Sequence, residues 1–149
     1  MLKEKISTSA LLRKLFKTNN LENFIKHYGE QFDNIPFHTY INQLCVENGT
    51  IPAHVIHKSS IERTFGHQLF NGIRKPSRDK VIQLAFGFGM DYEKTQELLK
   101  ISHHRALYPK IKRDAAIIFA LHRGLPVTDV QVTLSELSLP LLGKEERYE

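Results

Sequence analysis

Between Ile61 and Gly72 the segment IERTFGHQLFNG places Ile61, Phe65 and Leu69 four residues apart, the spacing of one helical face. The opposite face carries Glu62, Arg63, Thr64, His67, Gln68 and Asn71. Such a face can read base edges. Arg63 can donate two parallel hydrogen bonds to guanine, Gln68 can pair with adenine, and Thr64 offers both a hydroxyl and a methyl group. His67 adds a ring nitrogen on the same side. The first turn of this helix would also aim backbone amides at a phosphate.

Other residue types promise less. Of eight histidines, His54 and His57 lie three apart and His103 and His104 are adjacent, but no carboxylate or thiol completes a ligand set at usual spacing. No metal is therefore expected. Cys45, the only cysteine, excludes an internal disulfide and a cysteine-based zinc site, and its inward position reads as a packed thiol rather than a nucleophile. There is no glycine-rich phosphate loop and no nucleophile paired with a base. Gly87-Phe88-Gly89 is a lone pattern at a helix end. The expectation is a protein without catalytic activity or cofactor.

The elements that must position the polar face read as helices throughout, and no segment alternates as a strand would. Thr50 can cap a short helix running to Lys58, with Pro52 in its first turn and Val55 and Ile56 inward. Ser59-Ser60 makes a turn, and Ser60 caps the next helix, spanning about 60–71. Gly72 stops it. Upstream, Phe37, Tyr40, Ile41, Leu44 and Cys45 form a buried stripe that ends at Asn48-Gly49. Downstream, Arg74-Lys75-Pro76 links to a helix capped by Ser77, with Val81, Leu84, Ala85 and Phe88 inward and Gly87 and Gly89 breaking it. Asp91 caps a further helix with Thr95, Leu98 and Leu99 inward.

At the N-terminus, Leu11, Leu12, Leu15 and Phe16 form one stripe, and Leu21, Phe24, Ile25, Tyr28 and Phe32 another, with Asn19 and Asn20 between them as turn and cap residues. At the C-terminus, Pro109 opens a helix ending at Gly124, and Pro126 opens another with Val127, Val130, Leu134 and Leu137 as its stripe. Lys144–Glu149 reads as a frayed tail. No internal repeat or low-complexity segment is apparent. Three regions result: a helical pair at 1–34, a five-helix domain at 35–102 and a two-helix extension at 103–149.

Composition agrees with a folded, water-soluble chain: 41% hydrophobic, 25% charged, net charge +5. The longest apolar run, Ala115–Leu121, has seven residues where a membrane span needs about 20. With no secretory leader pattern, a cytoplasmic protein is expected. Charge is unevenly placed. From His57 to Lys80, six Lys/Arg and two acids give +4 in 24 residues, and Lys100–Arg113 carries five basic residues and no acid. Clustered positive charge attracts a polyanion, although a solvated surface gives the same pattern.

The segment TIPAHVIHKSSIERTFGHQLFNG and the motif LFNGIRKPSRDKVIQLA, at Leu69–Ala85, together resemble the phage-repressor and Cro-type helix-turn-helix domain, the XRE family. The likeness runs from Ile41 to Leu99, about 60 of 149 residues, and rests most on Leu69-Phe70-Asn71-Gly72 and the basic link to Ser77. It implies an all-α, λ-repressor-like five-helix DNA-binding domain with extra N-terminal and C-terminal helices. It also implies sequence-specific binding of double-stranded DNA by a bacterial or phage-derived transcriptional regulator. By position, Arg63, Thr64 and Gln68 fall where the family contacts bases, and His67 shares their face. Pro52, Ala53, Asn71, Arg74, Lys75 and Ser77 fall where it meets the DNA backbone.

Two positions depart from the family pattern. Ile56 stands where a small alanine is usual, and Gly66 where an aliphatic residue is usual. Glycine costs about 1 kcal/mol in a helix interior, so the helix packs closely there or Phe65 fills the space. Some domains of this fold bind proteins instead, which leaves a non-catalytic interaction module, antitoxin-like or scaffold, as the alternative. The Ala115–Leu121 run either packs onto the domain or joins two copies into a homodimer, and both can hold. Arg105, Lys110, Lys112 and Arg113 either add phosphate contacts or form a solvated surface.

Overall fold

A computed structural model describes residues 6–32 and 35–143, and every regular element among them is helical. The tail Lys144–Glu149 lies outside the described residues. No helix among them is long and apolar enough to cross a membrane. The chain divides into two units, Met1–Ile35 and Pro36–Glu149.

The first unit holds α1 (Thr8–Lys17), α2 (Leu21–His27) and a 3₁₀ turn at Gly29–Gln31. Ser7 and Asn20 cap the two helices by accepting the amides of Ala10 and Asn23. Phe24 is buried, with the Tyr28 ring 4.8 Å and the Phe32 ring 6.4 Å from it. Leu11 and Tyr28 are half-buried and the rest of the two stripes is exposed, Phe16 by 76%.

The second unit holds α3 (Phe37–Glu47), α4 (Pro52–Lys58), α5 (Arg63–Phe70), α6 (Arg78–Gly87), α7 (Tyr92–Ile101), α8 (Lys112–His122) and α9 (Val127–Glu136). One core joins them. Ile41 and Cys45 of α3, Val55 and Ile56 of α4, Leu69 of α5, Leu98 and Leu99 of α7, and Ile117 and Leu134 from the last two helices all belong to it. Helix α6 runs through the middle, with Val81, Ile82, Leu84 and Ala85 all fully buried. It approaches α4 so closely that a Cβ at Gly87 would fall on the Ser59 hydroxyl. Gly87 is thus a contact point, and the helix ends one residue later at Phe88.

Several expected boundaries move. Helix α4 is capped at Ile51 without a side-chain bond, not at Thr50. Helix α8 begins at Lys112 rather than Pro109: side chains of α6 and α7 hold the backbone at 105–107, Asp114 holds the Tyr108 amide, and the chain then turns with the Ile111 amide on the Tyr108 carbonyl (3.0 Å) before the helix starts. Leu137 is the C-cap of α9 and 57% exposed, so only Val127, Val130 and Leu134 form the buried stripe.

Those side chains reveal a duplication that the sequence reading missed. Helices α6–α7 and α8–α9 are the same helical hairpin, 35 residues apart. In the first, Arg78 donates from Nε to the Arg105 carbonyl (2.8 Å) and from Nη2 to that of Ala106 (3.0 Å). In the second, Arg113 donates to the carbonyls of Pro140 (2.9 Å) and Leu141 (3.0 Å). Gln96 clamps both backbone groups of Leu107 at 2.8 and 3.0 Å, and Gln131 clamps those of Leu142 at 2.8 and 3.1 Å. Gly89 and Gly124 close the first helices at φ 71° and 68°, and His103 and Ser138 close the second at 62° and 58°. The hairpins then exchange partners. Arg78 pairs with Asp114 of the other hairpin (3.0 Å), and Arg113 with Asp79 (2.8 Å). Both aspartates are almost wholly buried, and each also accepts a backbone amide, Tyr108 for Asp114 and Gly143 for Asp79.

Candidate nucleic-acid interface

Helices α4 and α5 are joined by four residues, Ser59 to Glu62, the length of a helix-turn-helix connection. The turn is pinned from inside. The buried Ser59 hydroxyl donates to the Val55 carbonyl, and Gln83 of α6 donates to the carbonyls of Ser59 (3.1 Å) and Ser60 (3.4 Å). Ser60 takes the left-handed conformation, φ 55°, so it ends α4 and cannot cap α5 as the sequence led us to expect. Helix α5 starts at Arg63 with Glu62 as its N-cap.

Glu62 changes the electrostatics of that end. Its carboxylate accepts the amides of Thr64 (2.7 Å) and Phe65 (2.9 Å). These backbone bonds, that of Thr64 first, hold its carboxyl below the usual range. The amides that the sequence reading offered to a phosphate are therefore already taken by an exposed side chain.

The buried face of α5 is Gly66, Leu69 and Phe70, rotated from the expected Ile61–Phe65–Leu69 line. Ile61 is buried in the turn, while Phe65 is only half-buried. The cause is the pair of departures noted in the sequence. A Cβ at position 66 would lie 2.5 Å from Ile56 Cγ2 and 2.8 Å from its Cγ1. Glycine gives up the volume that Ile56 takes, so α4 and α5 touch along Ile56–Gly66 and Phe65 turns outward.

Arg63, Thr64, His67 and Asn71 are exposed, and Gln68 is half-exposed. Arg63 and His67 lie one turn apart on α5, as do Thr64 and Gln68. Gln68 is not free to meet a base unaided: its Oε1 accepts the Arg74 Nε at 2.6 Å. The Arg74 guanidinium lies 4.8 Å from the centre of the Phe65 ring, and the Lys80 ammonium 5.2 Å from it. The structure thus joins one base-contact candidate, Gln68, to one backbone-contact candidate, Arg74, and adds Phe65 and Lys80, which the sequence reading did not assign. The sequence places Phe65 on the inward line with Ile61 and Leu69, and only its position beside Gly66 hinted otherwise.

The remaining candidates have structural duties that leave them at the surface to differing degrees. The Asn71 Oδ1 accepts the Ile73 amide (3.1 Å) where α5 ends, and Asn42 of α3 donates to the Phe70 carbonyl at 2.7 Å. Ser77 is the N-cap of α6, accepting the Lys80 amide at 3.2 Å. Lys75 and Ala53 are exposed and Pro52 half-exposed at the start of α4. Arg113 is removed from the phosphate-contact candidates by its internal pair with Asp79, while Arg105, Lys110 and Lys112 remain exposed. Among the described residues there is no cluster of side chains that could hold a metal ion.

Neither a protein-family model, a curated protein nor a solved structure matches this chain.

Proposed function

We propose that this protein binds double-stranded DNA sequence-specifically through α5, as a transcriptional regulator of the λ-repressor and Cro type, and acts in the cytoplasm without a cofactor. The observation that carries the reading is the two-sided character of α5. Gly66, Leu69 and Phe70 are buried in the core, while Arg63, Thr64 and His67 stand exposed on the other side. A polar helix face fixed from behind is what major-groove readout requires. Arg63 reads a guanine; Gln68, steered by Arg74, contributes the donors of its amide nitrogen; Arg74, Lys75, Asn71 and Ser77 grip phosphates, with Pro52 and Ala53 against the backbone. Arg63→Ala should cost about 1–3 kcal/mol on the preferred site and relax one base position. A binding motif left unchanged by Arg63→Ala, measured by selection from random duplexes, would show that α5 is not the reading helix.

A second copy is the partner we place on α8. Leu84 of α6 is fully buried, within the face whose Gln83 and Gly87 receive the α4–α5 turn. Its counterpart in the duplicate hairpin, Phe119, is 54% exposed beside half-buried Ala115 and Ile118. A two-fold dimer through this face would present two reading helices to two half-sites.

A non-catalytic protein-interaction module is the second reading. It draws on Ile51 and Ile73, 53% and 71% exposed at the start of α4 and just past α5. That reading expects no salt-dependent affinity for duplex DNA.

A further inference from the structure

An open cleft of about 810 Å³ lies where the turns of the two hairpins, 86–91 and 121–126, face the C-terminal end of α4. Its volume is in the range of small-molecule sites. Two permanent cations line it, Lys58 from α4 and Arg123 from the second turn, with the imidazoles of His57 and His122 beside them. Among the described residues none of these four is held in an ion pair, although the Arg123 guanidinium also lies 4.7 Å from the centre of the Phe119 ring. Phe88, Met90 and Leu125 supply an apolar wall. The cleft contains one acid, Asp91, and its carboxylate is committed to capping α7 through the Lys94 amide at 2.9 Å.

The duplication says what is missing. Asp91 closes the N-terminus of α7 with a carboxylate, whereas the equivalent position 35 residues on is Pro126, which gives α9 no side-chain cap. The first turn of α9, with Thr128, opens into the same cleft as Arg123. The first hairpin caps its helix with a carboxylate; the second has Asp129 in the first turn of α9, outside the cleft lining, and no side-chain cap beside the Arg123 guanidinium. Positive charge, backbone donors and an apolar wall converge on one volume.

We propose that this cleft binds a small amphiphilic anion, with its charged head at Arg123, Lys58 and the start of α9 and its apolar body against Phe88, Met90 and Leu125. No residue assigned to DNA contact lines the cleft, although Ser60 of the α4–α5 turn does. Pro52 and Ser77 begin α4 and α6, while the cleft takes residues from the opposite ends of both helices, Lys58 and Gly87. The proposal therefore stands or falls independently of DNA binding.

Titration of the full chain with decanoate, decanol and inorganic phosphate, followed by backbone amide resonances, tests it. Decanoate should shift the amides of Phe88, Gly89, Gly124, Leu125 and Thr128, and should saturate at least about tenfold below either control, since only it carries both the head and the body. Lys58→Gln combined with Arg123→Gln should weaken decanoate about tenfold or more while the melting temperature stays unchanged. Equal affinity for decanol, shifts centred on other residues, or a double variant that binds decanoate as tightly as the parent would each overturn it.

Discussion

Ile56 and Gly66 act as one feature divided between two helices. Each looked anomalous alone in the sequence, and neither carried information about the other because they sit on different elements. Glycine in a helix interior gives up about 1 kcal/mol relative to alanine, so Gly66→Ala alone would ordinarily stabilise α5. Here the new methyl would meet the Ile56 side chain at 2.5–3.0 Å, and overpacking of that kind costs about 1–3 kcal/mol. Gly66→Ala should thus lower stability in the parent and raise it by up to about 1 kcal/mol in an Ile56→Ala background, read by denaturant titration. Glu62 gives a second expectation. Its carboxyl titrates below the ordinary range because it accepts the Thr64 and Phe65 amides. Its stabilising contribution is therefore complete above the ordinary carboxylate value and lost as pH falls through the depressed one. Amide exchange at Thr64 and Phe65, corrected for its intrinsic pH dependence, should accelerate over that acidic window, and Glu62→Gln should move it little with pH. The role of Glu62 was hidden in the sequence because glutamate is not among the usual capping residues.

At the scale of elements, helix existence was legible and helix partnership was not. The capping residues Asn20, Ser77 and Asp91 stood where composition placed them. Errors gathered where tertiary bonds override local signals: Ser60 and Glu62 at the turn, and Pro109, which directly follows the Tyr108 amide held by Asp114. The hairpin duplication escaped notice because its repeated residues, Arg-Asp at 78 and 113, Gly at 89 and 124, Gln at 96 and 131, Leu at 107 and 142, are sparse. They mark polar clamps and turns rather than the apolar stripe, which drifts freely. Val81, fully buried, is replaced in the copy by Ala116. Arg78 and Arg113 count toward the basic stretches of the sequence, yet their side chains are 13% exposed and lock the two hairpins together. Removing one partner strands a buried charge, which costs about 3–5 kcal/mol. Asp79→Ala and Asp114→Ala should each lower stability on that scale. A paired Asp79→Leu/Arg113→Leu change should cost clearly less than either, and equal losses would show that the ion pairs do not couple the hairpins.

For the whole molecule, the all-helical class followed from periodicity, and the exposed face of α5 was found at the residues named for it, with Gln68 tied to Arg74. The C-terminal helices could not be interpreted from composition. Their run Ala115–Leu121 is apolar on nearly every side, and the structure assigns most of it to the core through Ala116, Ile117, Ala120 and Leu121 while leaving Phe119 outward. Charge placement located two basic stretches, but internal pairing removes Arg78 from the first and Arg113 from the second. The cations of the 57–80 stretch left exposed are Lys58, Arg63, Arg74 and Lys75. Selection of bound sequences from random duplex DNA at low and at high salt tests the central claim most directly. Recognition through α5 predicts an enriched palindrome, with half-sites about 10–10.5 base pairs apart and an affinity that falls steeply as salt rises; no enriched sequence at either salt concentration would contradict it.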